Sequence, residues 1–164
     1  MEQLNKVENS SVHVTEMVDT ILGDSLKEVD TYMEKVKAIF IDNQEIIDQD
    51  LDRIILQIPV YVYNLVVLAQ QIEMKKGLSK EHAKYAQNEA MLNATGTVAD
   101  KTAKAEIATA EDRITMLAYT TAANIVGNKI DRAMAVLDSA KKVQARKLAE
   151  MKLTGMSVNA VGSF

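Results

Sequence analysis

RIILQIPVYVYNLVVLAQQIEMKK, Arg53 to Lys76, holds the chain's one proline, Pro59, and its densest apolar run. A proline has no N–H to donate and a fixed φ, so it suits the first turn of a helix. The residue before it, Ile58, is pushed away from helical geometry. These two rules predict a helix that opens near Pro59. Gly77 is the expected stop, with Lys75 and Lys76 at the negative end of the helix dipole. Ile58, Val62, Leu65, Ala69 and Ile72 alternate spacings of four and three and form one stripe. Val60, Tyr61, Tyr63, Val66, Val67 and Leu68 cover much of the remaining circumference. A helix apolar on nearly all sides is expected to be buried on nearly all sides. The competing reading is a strand, because VYVYNLVV is rich in β-branched and aromatic residues. Helix is preferred because the helical period continues through LAQQIEMKK.

Working outward, Val14 to Phe40 is expected to be a long amphipathic helix. Its stripe is Val14, Val18, Ile21, Leu22, Leu26, Val29, Met33, Val36 and Phe40, with Gly23 a weak point. Asp42 and Asn43 are candidate caps for a short helix with Glu45 in its first turn. Past Gly77, Lys80 to Asn93 is a polar helical segment. Asn93 to Asp100 is a turn around Gly96. A last helix is expected over 98–152, with two registers. Ala103, Ile107, Ala110, Ile114, Leu117, Thr121 and Asn124 make a narrow seam of coiled-coil type. Val126, Ile130, Ala133, Leu137, Ala140 and Leu148 make a second stripe. The expected organisation is a flexible start over 1–13, a single helical domain over 14–152 and a flexible tail over 153–164.

Composition agrees with an all-α fold, a long-helix hairpin or bundle. Hydrophobic residues are 48% and aromatics 4%, with one Pro and six Gly among 164 residues. One chain of this size is expected not to cover the Pro59 helix alone, so the bundle is expected to assemble into a homo-oligomer. The residues expected at that interface are Val62, Leu65, Val66, Ile107, Ile114 and Leu117. The absence of cysteine excludes disulfides and thiolate chemistry and fits a cytoplasmic setting. The first residues lack the pattern of a signal peptide. The longest apolar run, about a dozen residues, falls short of the roughly 20 of a membrane span.

Nothing in the sequence points to catalysis or a cofactor. There is no glycine-rich phosphate loop, and the two histidines, His13 and His82, are not paired for metal binding. The acidic residues at 42–52 lack the glycine and ligand spacing of a calcium loop. Charge is uneven. Residues 1–60 carry 13 acidic and 5 basic residues, and residues 61–164 carry 10 and 14. The basic half holds the candidate nucleic-acid-binding residues. Lys129, Arg132, Lys142, Arg146 and Lys147 fall within about 140° of the last helix, away from its apolar stripe. Lysine and arginine so spaced can follow phosphates without reading bases. Lys75, Lys76, Lys80 and Lys84 form a second set, beside Tyr85, which could stack on a base.

The run KAIFIDNQEIIDQDLDRIILQIPVYVYNLVVLAQQIEMKK, Lys37 to Lys76, resembles the UvsY-type recombination mediators of T-even and related phages. Phe40-Ile41-Asp42 and Ile58-Pro59 carry the likeness there. A long helix, the turn from Asn93 to Gly96 and a long basic-ended C-terminal helix extend it to roughly residues 35–152. The chain departs from the family at the basic motif ahead of the turn, where HAKYAQNEAM keeps only Lys84. The resemblance implies a ring-like homo-oligomer that binds single-stranded DNA and helps a RecA-like recombinase displace the single-stranded-DNA-binding protein. In an infected cell its place would be the host cytoplasm. The alternative is a helical adaptor, scaffold or inhibitor that binds another protein without DNA.

Overall fold

A computed structural model describes residues 2–42 and 46–161, with side chains described at 11–41 and 46–154. The order is α1 (Glu2–Leu22), a 3-10 turn (Gly23–Leu26), α2 (Lys27–Asp42), α3 (Asp48–Asn93), α4 (Val98–Ala108) and α5 (Ala110–Val161). Among the described residues there is no strand, so the fold is all-α.

The helix predicted to open at Pro59 and close at Gly77 is the middle of a 46-residue helix. Its start is marked by Asp48 and Asp50, acidic residues suited to a helix N-terminus. Pro59 lies inside and removes one backbone hydrogen bond, at a cost of about 3 kcal/mol. The apolar face is unbroken across it. Leu51, Ile54 and Ile58 are 0%, 1% and 0% exposed. Burying three such side chains contributes roughly 1.5–3 kcal/mol each and offsets the lost bond. Gly77 takes no positive φ and continues the helix.

The chain divides into two compact units. One consists of Lys27–Leu65 and Lys129–Phe164. Its core joins α2, the first part of α3 and the second half of α5 through Val36, Leu51, Ile54, Ile58, Ala133, Leu137 and Ala140. Ala133 and Ala140 are small enough to bring α5 close to its neighbours. Tyr32 and Tyr61 pair at the side of this core, with ring centroids 4.7 Å apart. The Tyr32 hydroxyl is buried with no hydrogen-bond partner among the described residues. Burial, then the neighbouring Tyr61, pushes its pKa up.

The other unit consists of Met1–Leu26 and Val66–Asn128. Val18, Leu22, Leu26, Ile72, Ala105, Ala118, Ala122 and Val126 are buried in it. The seam expected along α4 and α5 is not part of the chain's own core. Ala103, Ile107, Ala110, Leu117 and Asn124 are exposed, and Ile114 and Thr121 are half-buried. The buried side is one residue further round and made of alanines, because close helix approach favours small side chains over bulk. Thr109 interrupts the expected single helix. Its hydroxyl donates to the Ala105 carbonyl at 3.0 Å, a back-bond that bends helices.

Gly23 splits the predicted Val14–Phe40 helix by taking φ +49°, a left-handed value that glycine adopts without strain. The stripe itself holds: Val18, Leu22, Leu26, Val29 and Val36 are buried. Asp42 ends α2, and the expected cap Asn43 and the acidic Glu45 lie outside the described residues. Residues 2–13, expected as a flexible start, belong to α1, and 153–161 of the expected tail belong to α5.

The turn at Gly96 is as expected and closes with a reciprocal cap. The Thr97 hydroxyl and N–H both donate to Asp100 Oδ2, at 2.7 and 3.0 Å, and the Asp100 N–H donates to Thr97 Oγ1 at 3.3 Å. Hydrogen bonds from Thr97 hold the Asp100 carboxyl below its ordinary value. A depressed carboxylate contributes stability that is present above its unfolded pKa and lost as pH falls through the folded one. Thr97→Ala should destabilise the start of α4 by about 1 kcal/mol. Hydrogen exchange over 98–104 should show faster opening in the variant at neutral pH, and a smaller difference in acid below the carboxylate range.

Candidate nucleic-acid interface

The basic arc on α5 divides once the helix is packed. At ~100° per residue, Lys129 and Lys147 point the same way, about 20° from Ala140 on the buried stripe. They therefore sit at the margin of the core and are half-buried. Lys129 bonds Asp30 of α2. Lys147 meets Asp48 Oδ1 at 3.0 Å and donates to the Ile46 carbonyl. Gln144 Nε2 donates to Asp52 Oδ1 at 2.7 Å on the same side. These contacts tie α5 to α2 and to the start of α3. The acidic residues near 48–52 thus serve as partners for α5, and Lys129 and Lys147 are withdrawn from the DNA set.

The other three arc residues face outward. Arg132, Lys142 and Arg146 are exposed. Arg146 Nε donates to Glu150 Oε1 at 2.8 Å, and that bond raises the guanidinium pKa further. Arg132 shares the α2–α5 groove with Asp30 and Glu34, so its local field is mixed. Further along, the balance changes. Between 139 and 161, Glu150 is the only acidic residue, against Lys141, Lys142, Arg146, Lys147 and Lys152. Lys141 and Lys152 are exposed and were missed from sequence. Both lie on the far flank of the apolar stripe, outside the arc that defined the set. A count of charge along the chain, in place of angle, would have found them.

In the second set, Lys75, Lys80 and Lys84 are exposed and Lys76 bonds Glu73 Oε1 at 3.0 Å. Tyr85 is 70% exposed on the same helix, α3. His82 Nδ1 lies 3.0 Å from Asp112 Oδ1 at the surface.

The expected interface residues also separate. Leu65 is 1% exposed and Val62 packs against the Ile58 core, so both are spent inside the chain. Ile114 is half-buried. Val66, Ile107 and Leu117 remain exposed, at 38%, 77% and 54%. The Pro59 helix is not buried all round, because Leu56, Val60 and Tyr63 stay in solvent.

Between α2 and α5 runs a groove of about 690 Å³. Val29, Met33, Val36, Phe40 and Val136 give it an apolar floor, and Asp30, Glu34, Lys129 and Arg132 stand along its edges. Among the described residues no group of three or more His, Asp or Glu is placed to hold a metal ion. No family model, curated protein or solved structure matches the chain.

Proposed function

We propose that this chain is a non-enzymatic, self-associating helical protein that binds single-stranded DNA without reading its sequence. Its role would be that of a recombination mediator. It would help a RecA-like recombinase form a filament on DNA held by the single-stranded-DNA-binding protein, in the cytoplasm of a phage-infected host. The observation that carries this is the end of α5, where Lys141, Lys142, Arg146 and Lys152 are exposed and Glu150 is the one acidic residue of positions 139–161. Such a stretch attracts phosphates through local potential although the whole chain is at −4. The resemblance of residues 35–152 to UvsY-type mediators points the same way.

A second reading, a helical adaptor that binds protein alone, is favoured by the apolar groove between α2 and α5. Electrophoresis of a labelled single strand with the purified chain separates the two. The mediator reading expects a shift that weakens with salt, is alike for mixed and homopolymeric sequences, and is stronger than for duplex. No shift at low salt removes that reading and leaves the adaptor.

A further inference from the structure

The groove between α2 and the second half of α5 lies wholly within one compact unit. Its walls run from Val29 to Ile41 on α2 and from Lys129 to Ser139 on α5. That is ~15–18 Å, or about three helical turns. Ile41, at the end of its α2 wall, is 68% exposed. On the α5 wall Ala135 and Ser139 are exposed and small, so an incoming chain can come close to α5. Two carboxylates and three cations line the groove. Lys129 holds Asp30, and Lys37 holds Glu34 at 3.4 Å. Arg132 is exposed and forms no ion pair among the described residues.

We propose that this groove docks an amphipathic helix of a partner protein, one that carries carboxylates along one edge of its apolar stripe. The walls decide the shape of the occupant. Both are helices, which use their backbone groups internally and offer no free edge for an extended segment to pair with. An extended segment would lay its own N–H and C=O groups unpaired on an apolar floor. A helix arrives with its backbone already bonded. Its apolar residues at i, i+4 and i+7 match the floor from Met33 to Phe40.

Arg132 decides the charge. The acids of the groove are already held, so the match for Arg132 comes from an Asp or Glu beside the incoming stripe. Further along α5, exposed Lys141, Lys142, Arg146 and Lys152 add a positive field that favours an acidic partner over a basic one. A second copy of the chain is the poorer fit. The exposed apolar stripe of this unit is Leu56, Val60 and Tyr63, and residues 54–72 hold no charge, so its entry would leave Arg132 unmatched. The inference goes beyond DNA binding and does not rest on it.

The test uses the full chain and two labelled helical peptides of about 18 residues, ~27 Å long. Both carry leucines spaced by four and three. One has glutamates along a single edge of that stripe, and the other has lysines in their place. Fluorescence anisotropy should show the glutamate peptide bound more tightly than the lysine peptide, by about tenfold or more. Arg132→Glu should weaken the glutamate peptide and reverse the order of the two. Ala135→Trp fills the groove from an exposed position. It should weaken the glutamate peptide by about tenfold or more, with the circular dichroism spectrum and the shift of single-stranded DNA unchanged. No binding of the glutamate peptide to wild type overturns the proposal. So does equal binding of the two peptides, or an order that Arg132→Glu leaves as it was. A wild-type oligomer that Ala135→Trp breaks to a monomer, by sedimentation equilibrium, assigns the groove to a second copy and also overturns it. Loss of the DNA reading, by contrast, leaves these peptide results as expected.

Discussion

Ile58→Asp should unfold the unit built from α2, the start of α3 and the end of α5. Ile58 is 0% exposed and sits in one cluster with Val36, Leu51, Ile54, Ala133, Leu137 and Ala140. The described residues offer a carboxylate there no cation, so it enters the core unpaired. The cost is at least about 4 kcal/mol, against a total of about 5–15 kcal/mol for a folded domain. Ile58→Ala is the milder comparison, at about 2–5 kcal/mol for the lost contacts and the cavity. Urea titration followed by far-ultraviolet circular dichroism should place the alanine variant well below wild type. The aspartate variant should have no folded baseline for this unit. If both variants unfold with wild type, Ile58 is not in a core, and the continuous α3 is wrong at its centre.

The second large effect is on DNA. Lys141→Glu, Lys142→Glu, Arg146→Glu and Lys152→Glu together should weaken single-strand binding by on the order of a hundredfold or more, since each lost phosphate contact also loses its counterion release. All four positions are exposed, so helical content and mass should stay at wild-type values. Lys147→Glu should act differently. Lys147 bonds Asp48 and the Ile46 carbonyl, so its reversal sets two carboxylates against each other and lowers stability. A variant that loses stability before affinity marks Lys147 as a tie between helices.

Helical class and most of the buried faces could be read in advance. The stripes through Val18–Val36, Ile58–Ile72 and Ala133–Ala140 are the ones the fold buries. Boundaries were less legible. Pro59 and Gly77 carry strong local preferences for helix ends, yet the apolar face from Leu51 to Ile72 outweighs the first, and the helix runs on through the second. Gly23 works in the other direction: it read as a weak point inside one helix and instead changes the hand of the backbone. Along α4 and α5 the face buried within the chain was less legible, because it is lined by small residues such as Ala118 and Ala122 and not by the bulkier seam.

The candidate site was legible in part. That α5 ends in a basic stretch could be read directly. Which of its cations are free could not. Lys129 and Lys147 meet partners about a hundred positions away in sequence, and no helical period reports such contacts. Leu65 fails as an interface residue for the same reason: its stripe was correctly seen as apolar, but the chain's own helices cover it.

The most direct test of single-strand binding by the end of α5 is its salt dependence, read by fluorescence anisotropy of a labelled oligonucleotide. Four phosphates neutralised per protomer predict a slope of log K against log salt of about −3 for wild type, from about −0.7 per contact. The quadruple glutamate variant should show weak binding and a slope near zero. Equal affinity and equal slope in the two proteins would contradict the account.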